Sequence, residues 1–205
     1  MKIILATHNQ DKVKEIVPMM QSLGVELSTL DEFPQISEIV ENGSTLRENA
    51  LIKARTINLV TGIPSLADDT GLEVDALNGA PGIYAARFAG ENCTYADNVK
   101  KLLLDMKNVI DEKRTAYFRT VVAFVDSGTE LIAKGSVEGA ITRSSKGVDG
   151  FGYDRVFYIP ESGKTFAEMT KKEKNKVSHR GIAFQNMKNI LREYISEPTH
   201  LEETA

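Results

Sequence analysis

The chain has 205 residues, 41% of them hydrophobic and 26% charged, which suits a soluble core in one large domain or two small lobes. A net charge of -4 argues against a general nucleic-acid binder, which carries a basic balance, yet leaves room for a small anion held by a few placed lysines. The single cysteine, Cys93, excludes an intramolecular disulfide, no apolar run approaches membrane-spanning length, and the opening apolar run is too short for a signal-peptide core, so a cytoplasmic protein is expected.

Lys2 to Ala6 is a short apolar run rich in β-branched residues, the mark of a buried strand. The polar loop Thr7-His8-Asn9-Gln10 follows. From Asp11 the period changes to helical, with Val13, Ile16, Val17 and Met20 recurring on one side. Pro18 sits inside that pattern and predicts a kink or an early end. A helix N-terminus after a strand presents free N–H groups suited to phosphate. Lys12 lies in that first turn, where the helix dipole disfavours a cation unless an anion is near; otherwise it is a solvated lysine. Val25 to Leu30 reads as a second strand, and Phe33 to Asn42 as an irregular acidic stretch carrying Glu41.

The next helix starts near Thr45, which with Glu48 has capping-box spacing. Leu46, Ala50, Ala54 and Ile57 form its apolar stripe, and Asn49 and Lys53 lie four apart on one face. Gly62 and Pro64 end it. Ile63 to Ala67 then reads as a strand end with two acids at its mouth, Asp68 and Asp69, before a second alternation through Leu72, Val74 and Ala76. Buried acids need a positive partner. A hard divalent cation is one, and Mg²⁺ takes few carboxylates plus phosphate oxygens; an Asp-rich turn is the plainer alternative. Glu41, Lys53 and the acid pair could converge on one metal–phosphate site, or each could be a surface charge.

Gly79 to Gly82 is a turn cluster with Arg87 beyond it. Thr94 predicts an N-cap for a helix with Val99, Leu102, Leu103 and Met106 on its stripe. Arg114 to Val125 and Glu130 to Ile141 are β-rich runs that Asp126-Ser127-Gly128-Thr129 joins as a hairpin, so the sheet should be mixed. Arg143 to Gly152 is a glycine-rich loop with Phe151 and Tyr153 beside Asp154. Phe151 there either stacks on a ring ligand or plugs the core. Val156 to Ile159 reads as a strand. A basic patch of Lys171, Lys172, Lys174 and Lys176 precedes Ser178-His179-Arg180, which opens a strongly amphipathic last helix. Cations at that N-terminus call for an anion or a carbonyl oxygen nearby. Glu197 to Ala205 is an acidic tail. There is no GxxxxGK[ST], HExxH, paired CxxC or GxSxG, and His8, His179 and His200 are far apart in sequence.

Five motifs occur in one order: Ala6-Thr7-His8-Asn9 with Lys12; Glu48-Asn49-Ala50 with Lys53; Ala67-Asp68-Asp69-Thr70-Gly71-Leu72; Gly79-Ala80-Pro81-Gly82 with Ala86-Arg87; and Phe151-Gly152-Tyr153-Asp154 followed by Ser178-His179-Arg180. In these the chain resembles the inosine triphosphate pyrophosphatase family, from Lys2 to about Tyr194. It departs at His8, where many members have Gly, and at Thr70, where many have Ser. The resemblance implies an elongated α/β fold in which a central mixed sheet carries two lobes, with the substrate in the cleft between them, and a homodimer. It implies Mg²⁺-dependent hydrolysis of ITP, dITP and XTP to the monophosphate and pyrophosphate. By the same resemblance, the triphosphate is held by Thr7, His8, Asn9, Gln10, Asp11 and Lys12 with Lys53 and Lys174. Glu41 and Asp69 bind the metal with Asp68 close by, and Asp69 is the general base. Phe151 stacks on the base, while Asp154, His179 and Arg180 read its edge; Thr70, Gly152 and Tyr153 complete the substrate-binding set. A broader NTP phosphohydrolase and a nucleotide sensor without turnover are the alternatives. No nucleic-acid or membrane partner is expected.

Overall fold

The computed structural model describes residues 1–196, so the acidic tail and His200 lie outside the described residues. The elements in order are β1 (Lys2–Leu5), α1 (Gln10–Met20), β2 (Glu26–Thr29), α2 (Leu46–Thr61), β3 (Ser65–Val74), β4 (Pro81–Gly82), α3 (Tyr95–Asp105), β5 (Thr115–Asp126), β6 (Thr129–Ile141), β7 (Phe157–Ile159), β8 (Lys164–Thr165), α4 (Lys171–Val177) and α5 (His179–Ser196). The strands form one mixed sheet ordered β2-β1-β3-β5-β6-β7-β8, with β4 paired to β3 outside that path. β1 runs parallel to β2 and β3, whereas β3–β4, β6–β7 and β7–β8 are antiparallel. The expected mixed α/β class is what the chain forms. No helix among the described residues is long and apolar enough to cross a membrane.

The chain divides into two compact units, and the divisions fall inside β3, β5, β6 and α5. The first comprises Met1–Asp69, Val121–Gly135 and the chain from Gly181. Here β1 lies between β2 and β3, so the chain steps one way through α1 and back the other way through α2. Right-handed crossovers then put the two helices on opposite faces of the sheet, and two cores result. Ile3, Leu5 and Leu66 pack with Ile16 and Met20 of α1 and with Ala183, Phe184, Met187 and Leu191 of α5. Ile4, Ala6 and Ala67 pack with Ala50, Leu51, Ala54 and Ile57 of α2. Helix α1 ends at Met20, two residues past Pro18, and tightens into a 3-10 turn at Gln21–Leu23 closed by Gly24 in the left-handed region. Pro18 lies on the exposed side, where the carbonyl it leaves without a helical partner can reach water.

The second unit comprises Thr70–Thr120 and Ser136–Arg180, with a core of Leu72, Val74, Leu102, Met106, Ala116, Phe118, Val156, Phe157 and Phe166. α3 is closed by a reciprocal cap between Thr94 and Asp97. The buried Arg114 guanidinium donates to the carbonyls of Met106, Ile141 and Thr142 and so ties the end of α3 to the end of β6. β5 and β6 are sheet neighbours joined through Ser127 and Gly128, both at positive φ, the two-residue turn whose twist matches that of the strands.

Three local expectations change. The acids are not at a strand mouth, because Ser65–Val74 is one continuous strand that carries them in mid-run. The GAPG turn contains the short strand β4, paired to Leu72 and Glu73. The lysine patch is a separate helix, α4, set off from α5 by Ser178 in an extended conformation.

Candidate functional site

In the first unit the site is built at the carboxyl end of β1. Its register with β3, Leu5 opposite Leu66, carries β3 onward past the end of β1, so Asp68 and Asp69 stand beside the loop that leads into α1. The chain reverses its winding direction between these two strands, and open α/β sheets bind ligands at such a point. Asn9 caps α1, its side-chain oxygen accepting from the Asp11 and Lys12 N–H groups at 3.0 and 3.2 Å. The Asn9 N–H is held by Thr7 Oγ1 at 3.2 Å. Gln10 bonds Asp31 and Asp11 pairs with Lys14, both at exposed positions, and His8 is exposed.

Alternation along β3 turns the two acids to opposite faces. Asp68 is fully buried on the α1 side, where Lys12 Nζ approaches its Oδ1 at 3.1 Å and its carbonyl at 3.3 Å. The carboxylate offsets the cost of a lysine in the first helical turn. Asp69 faces α2. Lys53 Nζ reaches Asp69 Oδ1 at 3.3 Å and Glu41 Oε2 at 2.6 Å, while Asn49 Nδ2 donates to Asp69 Oδ2 at 3.3 Å. Asn49 and Lys53, one helical turn apart, thus embrace both oxygens of one carboxylate. Gly43 makes room for this: its N–H donates to Asn49 Oδ1 at 2.8 Å, and a Cβ there would meet that oxygen. The structure therefore gathers Glu41, Lys53 and Asp69 and sends Asp68 to Lys12.

Burial raises the Asp69 pKa; Lys53 and Lys12 oppose this, Glu41 and Asp68 add to it, and the net direction is upward. For Lys53 burial works against the ammonium, but the pull of Asp69, Glu41 and Asp68 outweighs it and holds the pKa above its ordinary value. Among the described residues no three His, Cys, Asp or Glu side chains are grouped to hold a metal by themselves. Glu41 and Asp69 nevertheless converge on one cation, the Lys53 ammonium. Two carboxylates completed by substrate oxygens is the donor set Mg²⁺ accepts, so these residues fit that ion.

In the second unit the expected base-side residues form a buried cluster. Asp154 Oδ2 accepts from the Phe151 N–H at 2.8 Å and from Lys174 Nζ at 2.6 Å. Gly150, at φ +75, lets the loop close on that carboxylate, which a Cβ would strike. Lys174 and the Arg180 guanidinium lie 5.1 and 5.5 Å from the Phe151 ring centroid, and Tyr95 packs against the same ring at 5.7 Å. Lys174, which the resemblance assigns to the triphosphate, is thus paired to Asp154 under Phe151. His179 is stacked on Phe118 at 4.3 Å and 15°. Arg180 Nη2 donates to Thr70 Oγ1 at 3.2 Å. Tyr153 is buried, its hydroxyl donating to the Ala85 carbonyl at 2.8 Å, and burial pushes its pKa up. It braces the loop from within, next to Gly152 at φ +58.

Asn49, Tyr95 and Phe118 line these clusters and are not among the site residues expected from the sequence. Asn49 is legible from its spacing to Lys53; the other two meet their partners only through the tertiary fold and carry no local signal.

A mixed-sheet α/β protein with an acid–lysine cluster at the carboxyl end of a parallel strand and a capped helix N-terminus beside it belongs to the class whose sheets bind anionic ligands at that edge. The model of the Ham1 family matches residues 3–190, and the chain belongs to that family. A dITP/XTP pyrophosphatase from Thermoanaerobacter sp. is 49% identical, covering 96% of this chain and 100% of that protein. One from Pectobacterium atrosepticum is 44% identical, covering 93% and 98%. Among solved structures, a HAM1 protein from Coxiella burnetii is similar with a TM-score of 0.86 at 40% identity, covering 94% of this chain and 99% of that one. These findings bear out the resemblance carried by the five motifs.

Proposed function

We propose that this chain hydrolyses non-canonical purine nucleoside triphosphates, namely ITP, dITP and XTP, to the monophosphate and pyrophosphate. The observation that carries the reading is Asp69: a largely covered carboxylate, oriented through both oxygens by Asn49 and Lys53 and joined to Glu41 through one ammonium. The name shared by the curated relatives supports the reaction class.

Water attacks the α-phosphorus and pyrophosphate leaves. Asp69 takes the proton of the attacking water, a role open to a carboxylate oriented through both of its oxygens. Glu41 and Asp69 would hold Mg²⁺, which would supply charge neutralisation to the phosphate oxygens. Lys12, Lys53 and the α1 N-terminus set by Thr7 and Asn9 stabilise charge on the triphosphate and on the leaving pyrophosphate. Phe151 stacks on the purine. His179 and Arg180 donate to the 6-oxo group, and Asp154 accepts from N1–H. Adenine reverses that pattern, and a mismatch that leaves buried polar groups unpaired rejects an analogue by roughly 10⁴–10⁵-fold. The resemblance also supports a cytoplasmic homodimer.

Pyrophosphate release from dITP, XTP, dATP and dGTP, with and without Mg²⁺, tests the reading. Release from dITP and XTP alone, and only with metal, is expected; equal turnover of all four would remove the selectivity roles of Asp154, His179 and Arg180. Asp69→Asn should lower kcat by about 10²–10⁴-fold with the fold retained, the range general-base catalysis supplies, and near-normal kcat in that variant would take the base assignment away from Asp69.

A further inference from the structure

Strand β5 places Phe118 and Thr120 on one face, two residues apart, and both are buried. Phe118 is the ring against which His179 is stacked. Thr120, 1% exposed, has its hydroxyl 2.7 Å from Thr70 Oγ1, and that same oxygen accepts from Arg180 Nη2 at 3.2 Å. One face of β5 thus seats two consecutive residues of the first turn of α5, one by stacking and one through a hydroxyl pair. The hydroxyl of a threonine is a rotor and is fixed only by its partners. The Thr70 hydroxyl is one of the groups that place the Arg180 guanidinium, which also lies against the Phe151 ring.

We propose that Thr120 is a positioning residue for purine selection: through Thr70 it fixes the Arg180 guanidinium in the orientation that meets the 6-oxo edge. The inference rests on the reading of Arg180 given above, and it adds a residue that touches neither substrate nor metal. Thr120 acts on where the base-side donor points, not on the chemistry at phosphorus, so its loss should appear in KM and in base discrimination and leave kcat largely alone.

The test compares Thr120→Val, which removes the hydroxyl at nearly constant volume, with Thr120→Ser, which keeps the hydroxyl and removes the methyl. Steady-state kinetics on dITP and dATP are read together with the slow-exchanging ¹⁵N guanidinium signal of Arg180, which reports its immobilisation without any turnover. Thr120→Val should raise KM for dITP about tenfold, with kcat within about twofold, matching the loss of one hydrogen bond to a charged group. It should also broaden the Arg180 signal and narrow dITP-over-dATP preference, and Thr120→Ser should restore all three. Unchanged KM and an unchanged Arg180 signal in Thr120→Val would overturn the proposal. So would equal losses in both variants that follow thermal stability, because that is a packing effect. If the parent enzyme does not turn over dITP while Thr120→Val still releases Arg180, the functional reading fails and the positioning role stands.

Discussion

At the scale of single residues, the two adjacent acids of β3 do different work. Asp68 is buried with its charge met by Lys12, which is itself largely covered. A buried ion pair adds little over an apolar pair, but breaking one from a single side leaves an uncompensated charge. Lys12→Met should therefore cost about 3–5 kcal/mol in urea unfolding, and Lys12→Met with Asp68→Asn should recover most of it. A loss below about 1 kcal/mol in the single variant would place the pair in the category of surface ion pairs instead. Asp69 differs because its partners Asn49 and Lys53 both come from α2, and Lys53 is shared with Glu41 from the irregular stretch before that helix. That separates a structural acid from a candidate base at neighbouring positions of identical type.

At the scale of elements, α4 shows how a short helix that carries the buried Lys174 is held in place. Its seven residues are too few to be stable alone. Thr170 Oγ1 accepts from the Glu173 N–H at 3.2 Å, and the Glu173 carboxylate accepts from the Thr170 N–H at 2.7 Å and from Lys164 at 3.0 Å. The backbone bond from Thr170 is the main cause of a Glu173 pKa lowered to about 2. A carboxyl group more acidic in the folded chain than its ordinary 4.5 contributes stability that is fully present above that value and is lost as pH falls toward about 2. The difference in melting temperature between the parent and Glu173→Gln should be constant from pH 7 to about 5 and shrink between 4.5 and 2. A difference independent of pH across that window would mean that the carboxylate charge does not hold the cap. The Thr170–Glu173 spacing is a sequence signature of a helix start, so α4 was legible where only a lysine run had been noticed.

At the scale of the whole molecule, the carboxylates of the candidate metal site are already met by lysines, Asp68 by Lys12 and both Glu41 and Asp69 by Lys53. Chelation should therefore abolish turnover without unfolding: EDTA is expected to remove pyrophosphate release while circular dichroism and the melting temperature stay close to the parent. A large drop in melting temperature on chelation would show instead that the metal is part of the fold, as in sites where binding and folding are one event. Features that depend on near neighbours are legible along the chain. The helical stripes of α2, α3 and α5, the caps Thr45 and Thr94, the Ser127-Gly128 turn and the five ordered motifs were all readable, because period, capping and turn chemistry act over a few residues. Long-range packing sets the rest: Asp68 and Asp69 part to opposite faces, Glu41 and Lys53 meet at Asp69, and Thr120 reaches Arg180 through Thr70. Each of these follows from strand register and from which face a helix covers. Those are set by the burial of whole elements, and no stretch of the chain contains that information locally.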